Sequence, residues 1–156
     1  MALWMEEFRT TGLPRLEAEG DADALAIAPR LMAVAADAPD ALTALRLRAT
    51  LVREWAGFLA EWPVLLCPVS AEPPFPDHLD TGSDADWARI CAAQVTQVGL
   101  PALGLPAVAV ACGRSGSPMA VQLVGGRYEE RHLLDAARAI EAQHPAIAPV
   151  DPFVTG

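Results

Sequence analysis

The chain has 156 residues, of which 20 are acidic and 11 are basic, giving a formal net charge of -9. No basic run interrupts this acidic balance, which argues against nucleic acid and against an anionic membrane surface as partners, because both require clustered positive charge. The length suits one domain with one core. We therefore expect a single domain over 1–156, with a helical lead-in at 1–39, a core at 40–142 and an irregular tail at 143–156.

Cysteine spacing and the N-terminal residues indicate the compartment. Cys67, Cys91 and Cys112 lie more than twenty residues apart, which fits neither a disulfide framework nor the paired ligands of a zinc site. The N-terminus carries acidic residues where a secretory signal carries positive charge, and no apolar run approaches the roughly 18 residues of a membrane span. These features predict a cytoplasmic chain with buried thiols, without a metal and without a cofactor.

Short helices are predicted in the lead-in. A marginal helix is expected at about Leu3–Thr10, and Gly12 and Pro14 are expected to end it. The segment Asp21–Ala36 has a helical composition but contains Pro29, which cannot donate a helical hydrogen bond. We therefore predict two short helices in this segment rather than one.

The clearest predicted helix runs from Asp40 to Glu61, with Asp40 as its N-cap. Apolar residues recur in it at spacings of three and four: Leu42, Leu45, Ala49, Val52, Trp55 and Leu59. The apolar run that follows, Trp62–Ser70, predicts a strand buried on both faces. The proline-rich residues 71–82 have no periodicity, which predicts a surface loop.

The next predicted helix, Asp84–Val98, is capped by Ser83 or Asp84 and ended by Gly99 and Pro101. It carries an apolar stripe consisting of Trp87, Ile90, Cys91, Gln94, Val95 and Val98.

Two apolar runs, Pro106–Cys112 and Met119–Val124, predict strands joined as a hairpin by a turn at 113–118. A last helix is expected over Glu129–Gln143, with four residues facing inward: Leu133, Leu134, Ala137 and Ile140. This order of elements predicts an α/β fold in which helices pack on a short sheet.

Several side chains invite a catalytic interpretation. Ser115 lies among glycines and serines in residues 113–118, but the second glycine is misplaced for a nucleophile elbow and a strand follows, so a plain turn is favoured. His78, between Asp77 and Asp80, has the outline of a base or a metal ligand, yet no second histidine is near and a solvated surface histidine is favoured.

Two further features have simple structural explanations. The Gly125–Gly126 turn before the last helix offers backbone amides to a phosphate, but Glu129 and Glu130 occupy that helix end, so a packing turn is favoured. His132 and His144 lie near the two ends of the same helix, and neither resembles a metal ligand. No Walker or dinucleotide pattern is present.

Three ordered segments resemble the last third of amidase-signature enzymes, which include bacterial amidases and the amidase subunit of glutamyl-tRNA amidotransferases. RATLVREWAGFLAEWPVLLCPVS resembles the family's long helix and following strand, and LGLPAVAVACG resembles its Gly-Leu-Pro-Ala strand. SPMAVQLVGGRYEERHLLDAARAIE resembles its next strand and helix. The matching motif positions, interpreted as structural, are Gly104, Leu105, Pro106, Ala107, Gln122, Gly125, Glu130, Leu133 and Leu134. The likeness covers about 41–141 and weakens towards the N-terminus, and the chain departs from the family pattern at Pro101 and Ala111.

The resemblance implies an α/β/α fold and hydrolysis of a carboxamide by a serine, with a second serine in a cis peptide and a lysine that relays the proton. None of these residues can be assigned here, because all 11 basic residues are arginine and no matching serine segment is present. We therefore predict no catalytic residue and an isolated chain that is catalytically inactive.

Three hypotheses follow. The first is a catalytically silent carboxy-terminal segment of an amidase. The second is an interaction chain that completes the sheet of a partner carrying the catalytic serines and lysine, or that self-associates through exposed strand edges. The third is an enzyme of another mechanism that uses His78 and Asp80, which requires both side chains to face a concave pocket.

Overall fold

The computed structural model describes residues 2–36, 39–115 and 117–144, which group into two units. The first unit comprises the described residues up to Phe58 together with Ser70–Gly104. The second comprises Leu59–Val69 together with the described residues from Leu105 onward. Gly116 in the predicted turn and residues 145–156 of the predicted tail lie outside the described residues.

The lead-in is more helical than its glycine and prolines predict. Helix α1 (Ala2–Glu7), a π-helical turn (Phe8–Gly12) and helix α2 (Leu13–Glu19) follow one another directly. The prediction that Gly12 and Pro14 end the first helix is therefore wrong. Pro14 falls in the first turn of α2, where a missing backbone donor costs nothing.

Helix α3 (Ala22–Ala36) is one helix with Pro29 inside it, so the prediction of two short helices is wrong. The Asp21 carboxylate caps its start by accepting a hydrogen bond of 2.9 Å from the backbone N–H of Ala24. Ala28, next to the proline, is buried. Because most helix stability in proteins comes from packing, α3 tolerates the one donor that Pro29 removes.

Helix α4 (Ala41–Glu61) confirms the clearest prediction. The Asp40 carboxylate accepts hydrogen bonds from the backbone N–H groups of Leu42 and Thr43, at 3.0 and 3.1 Å, and from the Thr43 hydroxyl at 2.6 Å. The hydroxyl bond contributes most to lowering the pKa of Asp40. Within the predicted apolar stripe only Leu59 is buried, and Leu42 and Leu45 are 57% and 50% exposed.

The predicted helix after residue 83 is two helices, α5 (Asp84–Ala93) and α6 (Val95–Leu103), separated by Gln94. Helix α6 continues through Gly99 and Pro101, so the predicted end at these residues is wrong. It ends at Gly104, whose φ of 68° is the left-handed cap conformation that glycine adopts most easily. Among the described residues no helix has the length and apolarity needed to cross a membrane.

Ser83 caps α5 through a reciprocal pair of hydrogen bonds. The Ser83 hydroxyl accepts from the backbone N–H of Asp86 at 3.2 Å, and the Asp86 carboxylate accepts from the backbone N–H of Ser83 at 3.0 Å. The hydroxyl also donates to the Asp86 carboxylate at 2.6 Å. This capping box identifies Ser83, of the two predicted candidates, as the N-cap.

Ser83→Ala is expected to raise the pKa of Asp86 towards its ordinary value of 3.8. The Ser83 hydroxyl is the largest cause of the lowered pKa, followed by the Ser83 backbone N–H. A lowered folded-state pKa stabilises the fold above the unfolded value, and this stabilisation is lost as the pH falls through the folded value. The variant should therefore lose less stability on acidification.

Carboxyl NMR titration of Asp86 measures this shift directly. Asp40 has its own hydrogen bond from Thr43, so its titration in the same spectra is the internal control and should not move. An Asp86 titration identical in wild type and variant would contradict the assignment.

An antiparallel sheet of three strands lies in the second unit. The strands β1 (Val64–Pro68), β2 (Ala107–Ser115) and β3 (Ser117–Gly125) stand in the order β1-β3-β2. The predicted hairpin of β2 and β3 is confirmed, with pairs running from Ala107–Val124 to Ser115–Ser117. Much of the predicted turn is therefore strand. A bulge between Ala111 and Gly113 places Gly113 at a φ of 136°, which favours glycine.

The position of β1 corrects its predicted burial. β1 lies at one side of the three-stranded order, and Leu66 on it is 58% exposed. The strand itself is confirmed, but the prediction that both of its faces are buried is wrong. An apolar run of this length does not distinguish a central strand from one at the edge of a sheet.

Helix α7 (Glu130–Glu141) packs on this sheet. The core between them consists of Val110, Leu123, Leu133 and Ala137. Ile140 is half-buried, whereas Leu134 is 49% exposed, so the prediction that Leu134 faces inward is wrong. One residue along a helix is a rotation of about 100°, which turns Leu134 away from the face that Leu133 shares with Ala137. The predicted α/β class is confirmed.

Candidate functional site

Gly104 caps α6 in the first unit, and the other motif positions predicted from the sequence lie in or next to the hairpin and α7. The carbonyl of Pro106 accepts a hydrogen bond of 3.2 Å from the backbone N–H of Gly125. Ala107 opens β2, after Leu105 and Pro106 have connected it to the end of α6. Gln122 of β3 pairs with Cys67 of β1 and with Ala109 of β2. These positions therefore connect the C-terminal half of β3 to both neighbouring strands.

Gly125 lies where β3 meets α7. A Cβ atom at Gly125 would lie 3.0 Å from Cδ2 and 3.1 Å from Cγ of Leu133, and Leu133 is only 2% exposed. Glu130, the first residue of α7, is exposed. The geometry indicates that glycine at 125 allows the strand and the helix to approach closely.

The nucleophile interpretation of Ser115 requires a strand, a sharp turn and a helix. Ser115 instead ends β2, and β3 begins at Ser117. A nucleophilic thiolate is likewise disfavoured at Cys67, since partial burial raises the pKa of its thiol.

Acidic side chains at the start of α7 disfavour a phosphate site there. His132 Nδ1 lies 2.6 Å from the carboxylate of Glu129, and Glu130 occupies the first turn of α7. These carboxylates repel an anion at that helix end. Within the part of the chain that the structure describes, no group of three or more histidine, cysteine or acidic residues is arranged to hold a metal ion.

His78 lies beside one of its predicted carboxylate neighbours, Asp77, and beside Asp23, which was not predicted. Its Nδ1 lies 3.2 Å from the Asp23 carboxylate of α3, and its Nε2 lies 3.5 Å from the Asp77 carboxylate. Asp23 was missed because it is far upstream in sequence. His78 has a φ of 56°, an uncommon conformation for a residue with a side chain. Its backbone carbonyl accepts hydrogen bonds from both the N–H and the hydroxyl of Thr81.

Arg30 of α3 fixes the loop that contains His78. Its guanidinium donates to the backbone carbonyls of Asp80 and Gly82, at 2.5 and 2.6 Å, and lies 3.2 Å from the Asp84 carboxylate. It also lies 5.9 Å from the centre of the Trp87 ring. Hydrogen bonds to a charged donor are among the stronger ones in proteins, so Arg30 holds the loop, α3 and α5 in one arrangement.

A cavity of about 830 Å³ lies in the first unit between α1, α3, the loop after residue 74, α5 and α6. Aromatic side chains of Trp4, Phe75 and Trp87 line it, together with buried Met5 and Ile90. The polar residues of the lining, here called its polar edge, are Asp77, His78, Asp80 and Gln94. The structure thus places His78 and Asp80 on one concave surface.

The predicted apolar stripe of Trp87, Ile90, Cys91, Gln94, Val95 and Val98 lines this cavity. Sequence periodicity therefore indicated one of its walls. The remaining walls come from segments far apart in the sequence, and no local signal connects them.

A second ion pair holds the start of the loop. The Glu72 carboxylate accepts hydrogen bonds of 2.9 and 2.5 Å from Arg89 of α5, which lower the pKa of Glu72. The Arg89 guanidinium lies 5.7 Å from the centre of the Phe75 ring. Both ends of the cavity loop are thus attached to helices of the first unit.

Known proteins resemble most of this chain. A family model described as Amidase matches residues 13–134. An indoleacetamide hydrolase of Bradyrhizobium japonicum is 38% identical over 104 residues, covering 62% of this chain and 21% of the relative. A glutamyl-tRNA(Gln) amidotransferase subunit of Protochlamydia amoebophila is 30% identical over 107 residues, covering 65% of this chain and 21% of the relative. The corresponding protein of Prosthecochloris aestuarii is 32% identical over 98 residues, covering 62% of this chain and 20% of the relative.

The chain spans about a fifth of the length of these curated relatives, and no solved structure matches it significantly. The family match covers well over half of the chain and contains the β2–β3 hairpin, the start of α7 and most of the first unit. The chain belongs to the amidase family.

Proposed function

We propose that this chain is the carboxy-terminal segment of an amidase-type hydrolase, acting on carboxamide C–N bonds, and that it is catalytically silent by itself. The observation that carries the proposal is the absence of lysine from all 156 residues, although the family resemblance calls for a lysine that relays a proton from serine. A serine hydroxyl is a weak nucleophile without a neighbouring proton acceptor. The part of the relatives that this chain matches therefore contributes to the fold. Hydrolysis of the amide requires another segment of the enzyme.

A second candidate function is completion of an amidase by association with the segment that carries the serines and lysine. Two surfaces favour it. In the described residues, β1 and β2 form the two sides of the sheet, and open strand edges invite pairing. Helix α4 exposes five large apolar side chains: Leu42, Leu45, Leu47, Leu51 and Phe58. A helix that is apolar on several sides is typical of the interior of a larger protein.

The compartment is part of the same proposal. Cys67, Cys91 and Cys112 are free thiols, but the prediction that they are buried is wrong, since Cys91 is exposed and the other two are half-buried. Free thiols persist in the reducing cytoplasm. We place the working enzyme there, with an amide as its substrate and without a metal or a cofactor.

Activity of the purified chain tests the first proposal. Incubation with simple aliphatic and aromatic amides is expected to release no ammonia, because no base activates a serine. Ser115→Ala is the matched variant and should be indistinguishable from wild type. Ammonia release that Ser115→Ala abolishes would sink the proposal of catalytic silence.

Complementation tests the second. The partner is the Bradyrhizobium japonicum indoleacetamide hydrolase from which the matching 104 residues have been removed. Mixing it with this chain is expected to give a complex by light scattering and to restore ammonia release from indoleacetamide. Replacing Leu42 and Leu45 with glutamate should weaken the complex, because a carboxylate resists burial. Arg46→Gln on the same helix is the control and should leave the complex unchanged. A chain that stays monomeric in the mixture contradicts completion.

A further inference from the structure

We propose that the cavity of the first unit binds a small aromatic amine in its cationic form. This inference is independent of amide hydrolysis, because it requires only the first unit and no catalytic group. The volume of about 830 Å³ lies within the range of roughly 300–1,000 Å³ that is typical of small-molecule sites. Such sites combine an apolar lining with a few polar groups that orient the ligand.

The apolar lining selects an aromatic ring. Met5 and Ile90 are 1% and 8% exposed, so part of the lining is buried and apolar. Trp4, Phe75 and Trp87 add aromatic faces to the walls, and aromatic rings gain from mutual contact beyond the burial of area. Trp4 and Val95 are 52% and 64% exposed, which leaves these two lining residues accessible to an entering ligand.

The charges around the cavity select a cation. Asp77 and Asp80 line it, and Asp23 lies against His78. Two arginines beside the cavity already have acidic or carbonyl partners: Arg30 has the Asp84 carboxylate and two backbone carbonyls, and Arg89 has the Glu72 carboxylate. The chain as a whole carries a charge of -9. This field attracts an ammonium group and repels a carboxylate.

The polar edge is held in place before a ligand arrives. Arg30 binds the loop carbonyls of Asp80 and Gly82, and the backbone of His78 is held in its left-handed conformation by bonds from Thr81. An uncommon backbone conformation persists only where its surroundings enforce it, and such residues concentrate at ligand sites. A preformed edge reduces the entropy lost on binding.

Calorimetric titration of the purified chain with phenethylamine, phenylacetamide and phenylacetate tests the proposal, because these share one ring and differ in charge. The amine is expected to bind saturably, the amide more weakly and the carboxylate most weakly. Added salt should lower the affinity for the amine selectively. Absence of saturable amine binding, or equal affinity for amine and carboxylate, overturns the proposal.

Charge-removing variants locate the site. Asp77→Asn with Asp80→Asn keeps the oxygen acceptors and should weaken amine binding by about two- to five-fold per carboxylate, with little effect on the amide. Asp135→Asn, an exposed change on α7 in the second unit, is the control and should leave binding unchanged. Trp4→Ala should weaken the binding of both the amine and the amide. Amine binding that survives the double asparagine variant and Trp4→Ala unchanged refutes the location.

Discussion

Leu133→Ala is expected to lower the free energy of unfolding of the second unit by about 2–5 kcal/mol, the usual cost of emptying a packed leucine site. Leu133 is 2% exposed and lies in the core with Val110, Leu123 and Ala137. Removal of its side chain leaves a cavity between α7 and the sheet, and Gly125 has no side chain with which to fill it. Hydrogen exchange of the β3 and α7 amides, combined with urea unfolding, measures the loss in this unit.

The neighbouring leucine is a matched control. Leu134 has the same side chain, lies on the same helix and is 49% exposed. Leu134→Ala should therefore change the free energy of unfolding by about 0.5 kcal/mol or less, as is usual for surface substitutions. Equal losses for the two variants would contradict the orientation of α7 on the sheet.

Gly125→Val is expected to destabilise the same unit by about 1–3 kcal/mol, the usual cost of overpacking. A Cβ atom at residue 125 would already lie 3.0 and 3.1 Å from side-chain carbons of Leu133. The two methyl groups of valine add to this crowding. Leu133 is enclosed by the core and cannot move aside without displacing its neighbours. Valine is otherwise favourable in strands, so a loss of stability identifies the contact with α7 as the cause.

Gly57→Ala distinguishes this steric effect from the general cost of replacing a glycine. Gly57 lies inside α4, and a Cβ atom there has nothing within 4 Å. Alanine should stabilise α4 by about 0.5–1 kcal/mol, because glycine is a poor helix former. The two substitutions are thus expected to have opposite signs in urea unfolding. A stabilising Gly125→Val would contradict the close approach of β3 and α7.

Complementation and amine binding separate the two functional proposals. Completion of an amidase depends on α4 and the strand edges, whereas amine binding depends on the cavity of the first unit. The leucine-to-glutamate changes on α4 leave every residue that lines the cavity in place. A chain that fails to complete an amidase can still bind the amine, and the reverse is equally measurable.

Local sequence patterns determined the elements whose signals lie within a few residues. The spacing of apolar residues and the Asp40 cap predicted α4, and the two apolar runs around residues 113–118 predicted the β2–β3 hairpin. The ordered likeness of three segments from α4 to α7 indicated the family, which the match over 13–134 shows. The inferences about α4 and the hairpin need only neighbouring residues, because capping, periodicity and strand pairing across a short turn are local.

Tertiary structure decided everything that depends on contacts between distant segments. Pro29 and Pro101 remain inside helices, which local propensity alone does not predict, since packing outweighs one lost backbone donor. Whether β1 lies at the edge of the sheet, and which of Leu133 and Leu134 is buried, depends on the neighbours that each meets. The attachment of the His78 loop by Arg30 and the cavity beside it join residues separated by most of the first unit, so only the folded chain brings that chemistry together.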